Sequence, residues 1–250
     1  MRGVLYIATK SAQHWSGKPD YVELALNSID SLQKVSNLPV TLLTNVPCTR
    51  TDINVEQIEC LITKKDYTKN KTFYMDQTPY ESTLFLDADT IILEDPEPLF
   101  DTSYDLLMPH QAMCDYDKKV WKGFSGPCSF STATFIYNKN QITDLLFERA
   151  KENYLRLEAN PDARIHNVGN YLSDGYCLNK TIRRCIDSLG LNVKPLHPRW
   201  LGIPPMIKFL DNVAVMHSKY ANKHVGEGRD PHEMRTELKY SSVFDWTMEN

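Results

Sequence analysis

Leu84-Phe85-Leu86-Asp87-Ala88-Asp89-Thr90-Ile91-Ile92-Leu93 sets two carboxylates one residue apart where an otherwise apolar strand runs out. Side chains alternate faces along a strand, so a strand continuing through this segment points Asp87 and Asp89 the same way. Two acids crowded on one face of a mostly buried strand repel each other and lose hydration, and a divalent cation relieves both costs. The pair therefore predicts half of a metal site. Carboxylate oxygens are hard ligands suited to Mg, Mn or Ca, and Mg or Mn commonly completes its shell with substrate phosphates. An EF-hand calcium loop needs further oxygen ligands and a glycine directly downstream, where Ile91 and Ile92 stand. A cation bridging the acids to a diphosphate is the favoured reading. The plainer one has both acids capping a turn after the strand.

The elements that must position these acids follow from the surrounding pattern. Val4 to Ala8 is a short buried strand, polar residues follow to Gly17, and Tyr21, Val22, Ala25, Leu26, Ile29 and Leu32 then recur at helical spacing. Val40 to Thr44 reads as a second strand closed by Asn45 and Pro47, and Ile58 to Ile62 as a third. Lys71 to Tyr80 predicts a helix, limited by Pro79, that leads into the acid-bearing strand. Asp105 to Met108 enters an irregular stretch that continues through Pro127. Ala133 to Tyr137 is β-rich, Ile142 to Leu157 and Val168 to Ile186 read as helices, and Val213 to Met216 is a last strand ending at His217. Strands alternating with helices predict an α/β fold, a single domain over 1–250 with a central, mostly parallel sheet flanked by helices.

Composition narrows the partners. The chain of 250 residues has 32 acidic against 28 basic residues, and the doublets Lys64-Lys65, Lys118-Lys119 and Arg183-Arg184 do not build a continuous basic stripe. Nucleic acid is not the expected partner. No window approaches a membrane span, and no basic region leads into an apolar N-terminal core, so a cytoplasmic protein is expected. The six cysteines lack zinc-site spacing and read as reduced thiols. Two sequons, Asn70-Lys71-Thr72 and Asn179-Lys180-Thr181, would carry glycans only in a secreted chain.

Several chemistries have no sequence support. GxGxxG and GxxxxGK[ST] are both missing, so any phosphate must be held by metal and lysine. GxSxG and HExxH are absent too. A sugar nucleotidyltransferase would carry a glycine-rich, Arg-containing loop after its first strand, and Ala8-Thr9-Lys10-Ser11 stands there instead.

With Asp87-Ala88-Asp89 at a strand end, Lys71 sixteen residues upstream, Asp174 after a helical segment and His217 ending the last strand, the chain resembles glycogenin-like (family 8) glycosyltransferases of the GT-A fold. The resemblance implies Asp87, Asp89 and His217 as ligands of Mn2+, with Mg2+ an alternative, and Lys71 as a donor-binding lysine. Asp174-Gly175-Tyr176-Cys177-Leu178-Asn179 is similar to the DQGLLN-type segment, with Gly175 in place of Gln, and Asp174 then accepts a sugar hydroxyl or orients the nucleophile. His217 and Lys223 match an HxxGxxK pattern in which the lysine contacts the diphosphate, although Tyr220 takes the glycine position. Ser131-Thr132-Ala133-Thr134-Phe135-Ile136-Tyr137 resembles the NSGVFVY-type strand, implying Ser131 and Ala133 near the donor sugar. Ala8, Thr9 and Tyr21 fall where the family contacts the base, and Ala88 lies between the two acids. The implied reaction moves a hexosyl group from a nucleoside diphosphate sugar, by kinship a UDP-sugar, to an acceptor hydroxyl with retention. Two other readings are a metal- or nucleotide-sugar-binding module without turnover and a sugar nucleotidyltransferase.

Overall fold

The computed structural model describes residues 1–10, 20–61, 68–109, 130–160, 174–200, 213–217, 222–223 and 226–233. Their strands are β1 (Arg2–Ile7), β2 (Val40–Thr44), β3 (Asn54–Gln57), β4 (Ser82–Leu86), β5 (Thr90–Ile92), β6 (Leu106–Pro109), β7 (Thr134–Asn138), β8 (Val193–Leu196) and β9 (Val215–His217). Seven form one sheet in the order β3-β2-β1-β4-β7-β6-β8, while β5 and β9 pair apart from it. All neighbours in the large sheet run parallel except β7, which is antiparallel to both β4 and β6. The result is the mostly parallel α/β sheet that the alternating strand and helix pattern predicts.

Helices α1 (Tyr21–Gln33), α2 (Lys69–Tyr74), α3 (Gln141–Glu158) and α4 (Asp174–Leu189) cover the sheet. Strand alternation divides the core between two layers. Val4, Tyr6, Leu42, Leu84 and Leu86 face α1 through Val22, Ala25, Ile29 and Leu32. Leu5, Leu43, Phe85, Phe135 and Tyr137 face the opposite way onto Leu146, Phe147 and Ala150 of α3 and Leu178 and Ile182 of α4. Strands buried on both faces explain why β1, β2 and β4 read as continuous apolar runs. Among the described residues, no helix is long and apolar enough to cross a membrane.

Local chemistry sets the element ends. Asp20 caps α1, its Oδ1 accepting from Val22 N at 3.0 Å and Glu23 N at 3.4 Å. Asn140 caps α3 in a reciprocal box with Thr143. Gly190 adopts φ 69° just past α4, where a side chain would strain the turn.

Two boundaries differ from the sequence expectation. The third strand is the largely exposed edge segment Asn54–Gln57, not Ile58 to Ile62. An edge strand with little buried face carries no apolar signature, and its parallel pairing with β2 defines it. The helix before β4 covers Lys69–Tyr74 and stops short of Tyr80, ahead of the turn at Thr78 and Pro79. Strand β4 ends at Leu86, directly before the acids as the sequence reading has it, and Asp87 and Asp89 stand in a turn in which Thr90 N and Oγ1 both donate to Asp87 O, at 3.2 and 2.7 Å. The expected helix from Val168 is described from Asp174 onward, and the irregular stretch between His110 and Pro127 lies outside the described residues.

Candidate active site

Sheet register assembles the site. Strands β2 and β4 flank β1, so the chain order reverses there and opens a crevice at the C-terminal ends of β1 and β4, the position where open α/β sheets bind ligands. Parallel pairing of Tyr6 with Leu86 carries Ile7 and Ala8 toward Asp87 and Ala88. Antiparallel pairing of Leu86 with Thr134 brings in the segment Ser131 to Ala133, and Asp87 N donates to Ala133 O at 2.8 Å. Strand β5 pairs Thr90 with His217, which sets the imidazole next to the acids. A local turn and a long-range strand pairing thus do what simple strand alternation was expected to do.

His217 Nε2 lies 3.0 Å from Asp89 Oδ1 and 3.7 Å from Asp87 Oδ2. Ligand atoms of Asp87, Asp89 and His217 all fall within 4.8 Å of one another, the one such group among the described residues. Two carboxylates and an imidazole suit Mn or Mg and leave positions for phosphate oxygens. On the far side of Asp87, Lys71 Nζ contacts Asp87 Oδ1 at 2.6 Å and Asp174 Oδ2 at 2.8 Å, with the Phe85 ring centroid 5.1 Å away. Thr132 Oγ1 donates to Asp174 Oδ2 at 2.9 Å. The polar chain is therefore continuous from His217 through Asp87 and Lys71 to Asp174 and Thr132.

Charges in this chain oppose burial. Desolvation alone would lower the Lys71 pKa, but Asp174 and Asp87 outweigh it and hold the ammonium charged well above its ordinary range. Burial pushes the Asp87 carboxyl up, and Lys71 and His217 only partly offset that. Burial would also raise Asp174, yet attraction to Lys71 and hydrogen bonds from Lys71 and Thr132 bring it below the usual carboxylate range. For His217, burial acts downward and is overcome by Asp89 and Asp87, which raise the imidazole above its ordinary 6.5. With a neutral imidazole, three carboxylates against one ammonium leave an excess of two negative charges, which a divalent cation balances.

A second set of bonds holds the acidic turn itself. Asn222 is fully buried, and its amide nitrogen donates to Leu24 O at 3.0 Å, Thr90 O at 2.9 Å and, longer, Ala88 O at 3.4 Å. It ties the C-terminal segment to α1 and to the turn at once. Behind the turn, a buried hydroxyl chain runs from Tyr6 Oη to Ser28 Oγ (2.9 Å) to Thr90 Oγ1 (2.8 Å). Burial among these groups pushes the Tyr6 phenol well above its ordinary range.

The other expected residues are placed as follows. Thr9 is buried and its hydroxyl accepts from the Asn70 amide, while Leu61 N donates to Asn70 Oδ1 at 2.7 Å. Tyr21 opens α1, half-buried against the core. The Ser131 hydroxyl accepts from Ala133 N at 3.1 Å within its own turn, and both residues are buried. Lys223 is not among the groups that meet: its Nζ is exposed and lies 3.9 Å from Glu227 Oε1, one helical turn on. Asn179 clamps Phe130 through both its backbone N (2.8 Å) and O (2.9 Å). Both sequon asparagines, Asn70 and Asn179, thus use their amides internally. Thr132 and Asn222 escaped the sequence reading, although Thr132 sits inside the quoted Ser131 to Tyr137 segment and Asn222 directly precedes Lys223.

No protein-family model matches the sequence, and no curated protein does either. Solved structures do. The glycosyltransferase GlyE of Streptococcus pneumoniae matches with TM-score 0.59 at 14% identity, covering 97% of this chain and 66% of its own. The galactosyltransferase LgtC, in complex with donor and acceptor sugar analogues, matches with TM-score 0.54 at 14% identity over 100% of both chains. An active-site mutant of LgtC matches with TM-score 0.56 at 12% identity. The chain has the GT-A glycosyltransferase fold. In this GT-A sheet, the crevice at the ends of β1 and β4 is where Asp87, Asp89 and His217 converge. The chain spans about two thirds of the GlyE chain.

Proposed function

We propose that the protein is a metal-dependent glycosyltransferase, acting as a single domain, that moves a hexosyl group from a nucleoside diphosphate sugar to an acceptor hydroxyl. The observation that carries this reading is the convergence of Asp87, Asp89 and His217 at the switch point of a GT-A sheet, with Lys71 and Asp174 alongside. A divalent cation in that triad, Mn2+ or Mg2+, supplies charge stabilisation to a departing diphosphate. Lys71, kept charged by its two acidic partners, adds a second cation on the same side. Asp174, kept ionised and oriented by Thr132, accepts a hydroxyl of the transferred sugar or of the acceptor. Ala8, Thr9 and Tyr21 border the base, Ser131 and Ala133 line the donor pocket through backbone groups, and Lys223 swings to the diphosphate from the segment that Asn222 anchors. A UDP-sugar donor and retention of configuration follow from the resemblance to the glycogenin-like enzymes. A reducing, cytoplasmic setting accords with the free thiols of Cys48, Cys60, Cys177 and Cys185 and with the internally bonded sequon asparagines.

Donor hydrolysis tests the reading without a known acceptor. UDP-hexoses incubated with the protein and Mn2+ are expected to release UDP slowly and to raise the melting temperature by mass action. Asp87→Asn should cut release by roughly 100-fold, the scale of losing one preorganised electrostatic contact, while circular dichroism stays unchanged. Absence of both UDP release and stabilisation across nucleotide sugars, or full activity in Asp87→Asn, overturns it.

A further inference from the structure

A cleft of about 320 Å³ lies between α3 and α4, lined by Arg149, Glu152, Asn153, Arg156, Thr181 and Arg184. The α3 residues recur at the three- and four-residue spacing that puts them on one helix face, and Thr181 and Arg184 answer from α4. Three guanidiniums thus share one concavity. Arg184 belongs to the Arg183-Arg184 doublet, which in the sequence stands far from any other basic cluster, and the antiparallel packing of α3 on α4 supplies its partners.

What these arginines bond to is informative. Arg149 donates to Ser188 Oγ at 2.8 Å, and Arg156 to Asn153 Oδ1 at 2.8 Å. Asn153 is itself buried and donates to Cys177 O at 3.4 Å and Thr181 Oγ1 at 3.5 Å. Neutral acceptors therefore orient two guanidiniums without neutralising them. No described carboxylate pairs with Arg149, Arg156 or Arg184, although Glu152 stands one turn from Arg156. Among the other described cations, Lys10, Arg50, Lys69, Lys151, Lys194 and Arg199 reach carboxylates, whereas Arg2, Lys34, Lys139, Lys180 and Arg183 do not. In a chain with net charge -4, the cleft is distinguished by gathering three such arginines in one concavity.

We infer that this cleft binds a hydroxylated phosphate monoester, apart from the candidate active site. Arg forks match phosphate oxygens in bidentate geometry. Three arginines against one glutamate leave a lining charge of two, which a phosphate monoester dianion balances. Glu152 is then an acceptor for a ligand hydroxyl. The volume falls at the lower end of small-molecule sites. Arg184 is ten residues beyond Asp174 on α4, about 15 Å along the axis, so the cleft does not overlap the candidate active site.

Titration calorimetry on the full chain, with EDTA present and ionic strength held constant, tests this with inorganic phosphate and a hexose 6-phosphate as probes. Saturable one-site binding is expected, tighter for the hexose 6-phosphate and weakening as salt rises. Arg156→Gln and Arg184→Gln, both at exposed positions, should each weaken it about tenfold, and the Glu152→Gln variant should erase the preference for the hydroxylated probe. Asp87→Asn should bind the probes like the parent. Absence of saturable binding in the parent, unchanged affinity in the Arg156→Gln/Arg184→Gln double variant, or loss of binding in Asp87→Asn each overturns the assignment. Anionic-lipid vesicles form a separate arm: capture by vesicles without binding of the soluble probes also overturns it. None of these readouts uses glycosyl transfer, so failure here leaves the proposed enzymatic activity standing, and the reverse holds as well.

Discussion

Lys71 stands between two carboxylates that face each other once it is removed. Breaking a largely buried ion pair leaves uncompensated charge, so Lys71→Met should destabilise the fold by about 3 kcal/mol in urea unfolding. Adding Asp87→Asn to that variant should restore part of the loss, and a strictly additive double mutant would sink the coupling. His217 gives a pH signature. Its folded pKa lies above the ordinary value, so without metal the protonated imidazole stabilises fully below pH 6.5, and that contribution is lost as pH rises through the folded pKa. Protons and cation compete for the same nitrogen, and the raised Asp87 carboxyl competes in the same direction. The Mn-induced rise in melting temperature should therefore grow from about pH 5 to 9 by scanning fluorimetry, and His217→Ala should flatten it. At this scale the two acids were legible because paired carboxylates beside an apolar strand are unusual, whereas His217, Lys71 and Asp174 were reached through the resemblance to the glycogenin-like enzymes. Thr132 and Asn222 were not, since a threonine within a β-rich run and an asparagine in a polar tail carry no signal until the fold gives them partners.

Among the elements, the turn between β4 and β5 is the part whose geometry matters most, and Asn222 holds it from outside. Asn222→Ala removes the side-chain donor shared by the Leu24 and Thr90 carbonyls in a buried position, which should cost about 1–3 kcal/mol. It should also weaken Mn2+ binding measured by electron paramagnetic resonance. Asn140→Ala offers the contrast, since loss of the α3 cap should cost about 1 kcal/mol and leave Mn2+ affinity unchanged. If both variants change affinity equally, Asn222 acts only through global stability. Central strands and α1 were readable from the sequence because burial on one or both faces prints an apolar pattern. The end of β4 was readable at the two acids, while the shape of the turn that follows was not, because it is set by backbone pairing with Ala133 and Thr90.

For the whole molecule, an overall acidic charge gave no hint of the arginine cleft, since composition averages over faces that packing separates. The mostly parallel sheet was legible from alternating elements, while the reversed strand β7, which delivers Thr132 and Ala133 to the site, emerges only from the pairing. One long-range feature has a further reach. The histidine proposed as third ligand beside the acid pair rides on β9, a three-residue strand that among the described residues pairs only with β5. So short a strand is held partly by whatever bridges its histidine to the acids, and a bound ion acts as a clasp on the C-terminal segment. Mn2+ loading should slow amide hydrogen exchange at Val215 to His217 far more than in β1, and a polypeptide interrupted during synthesis before Val215 would lack the clasp altogether.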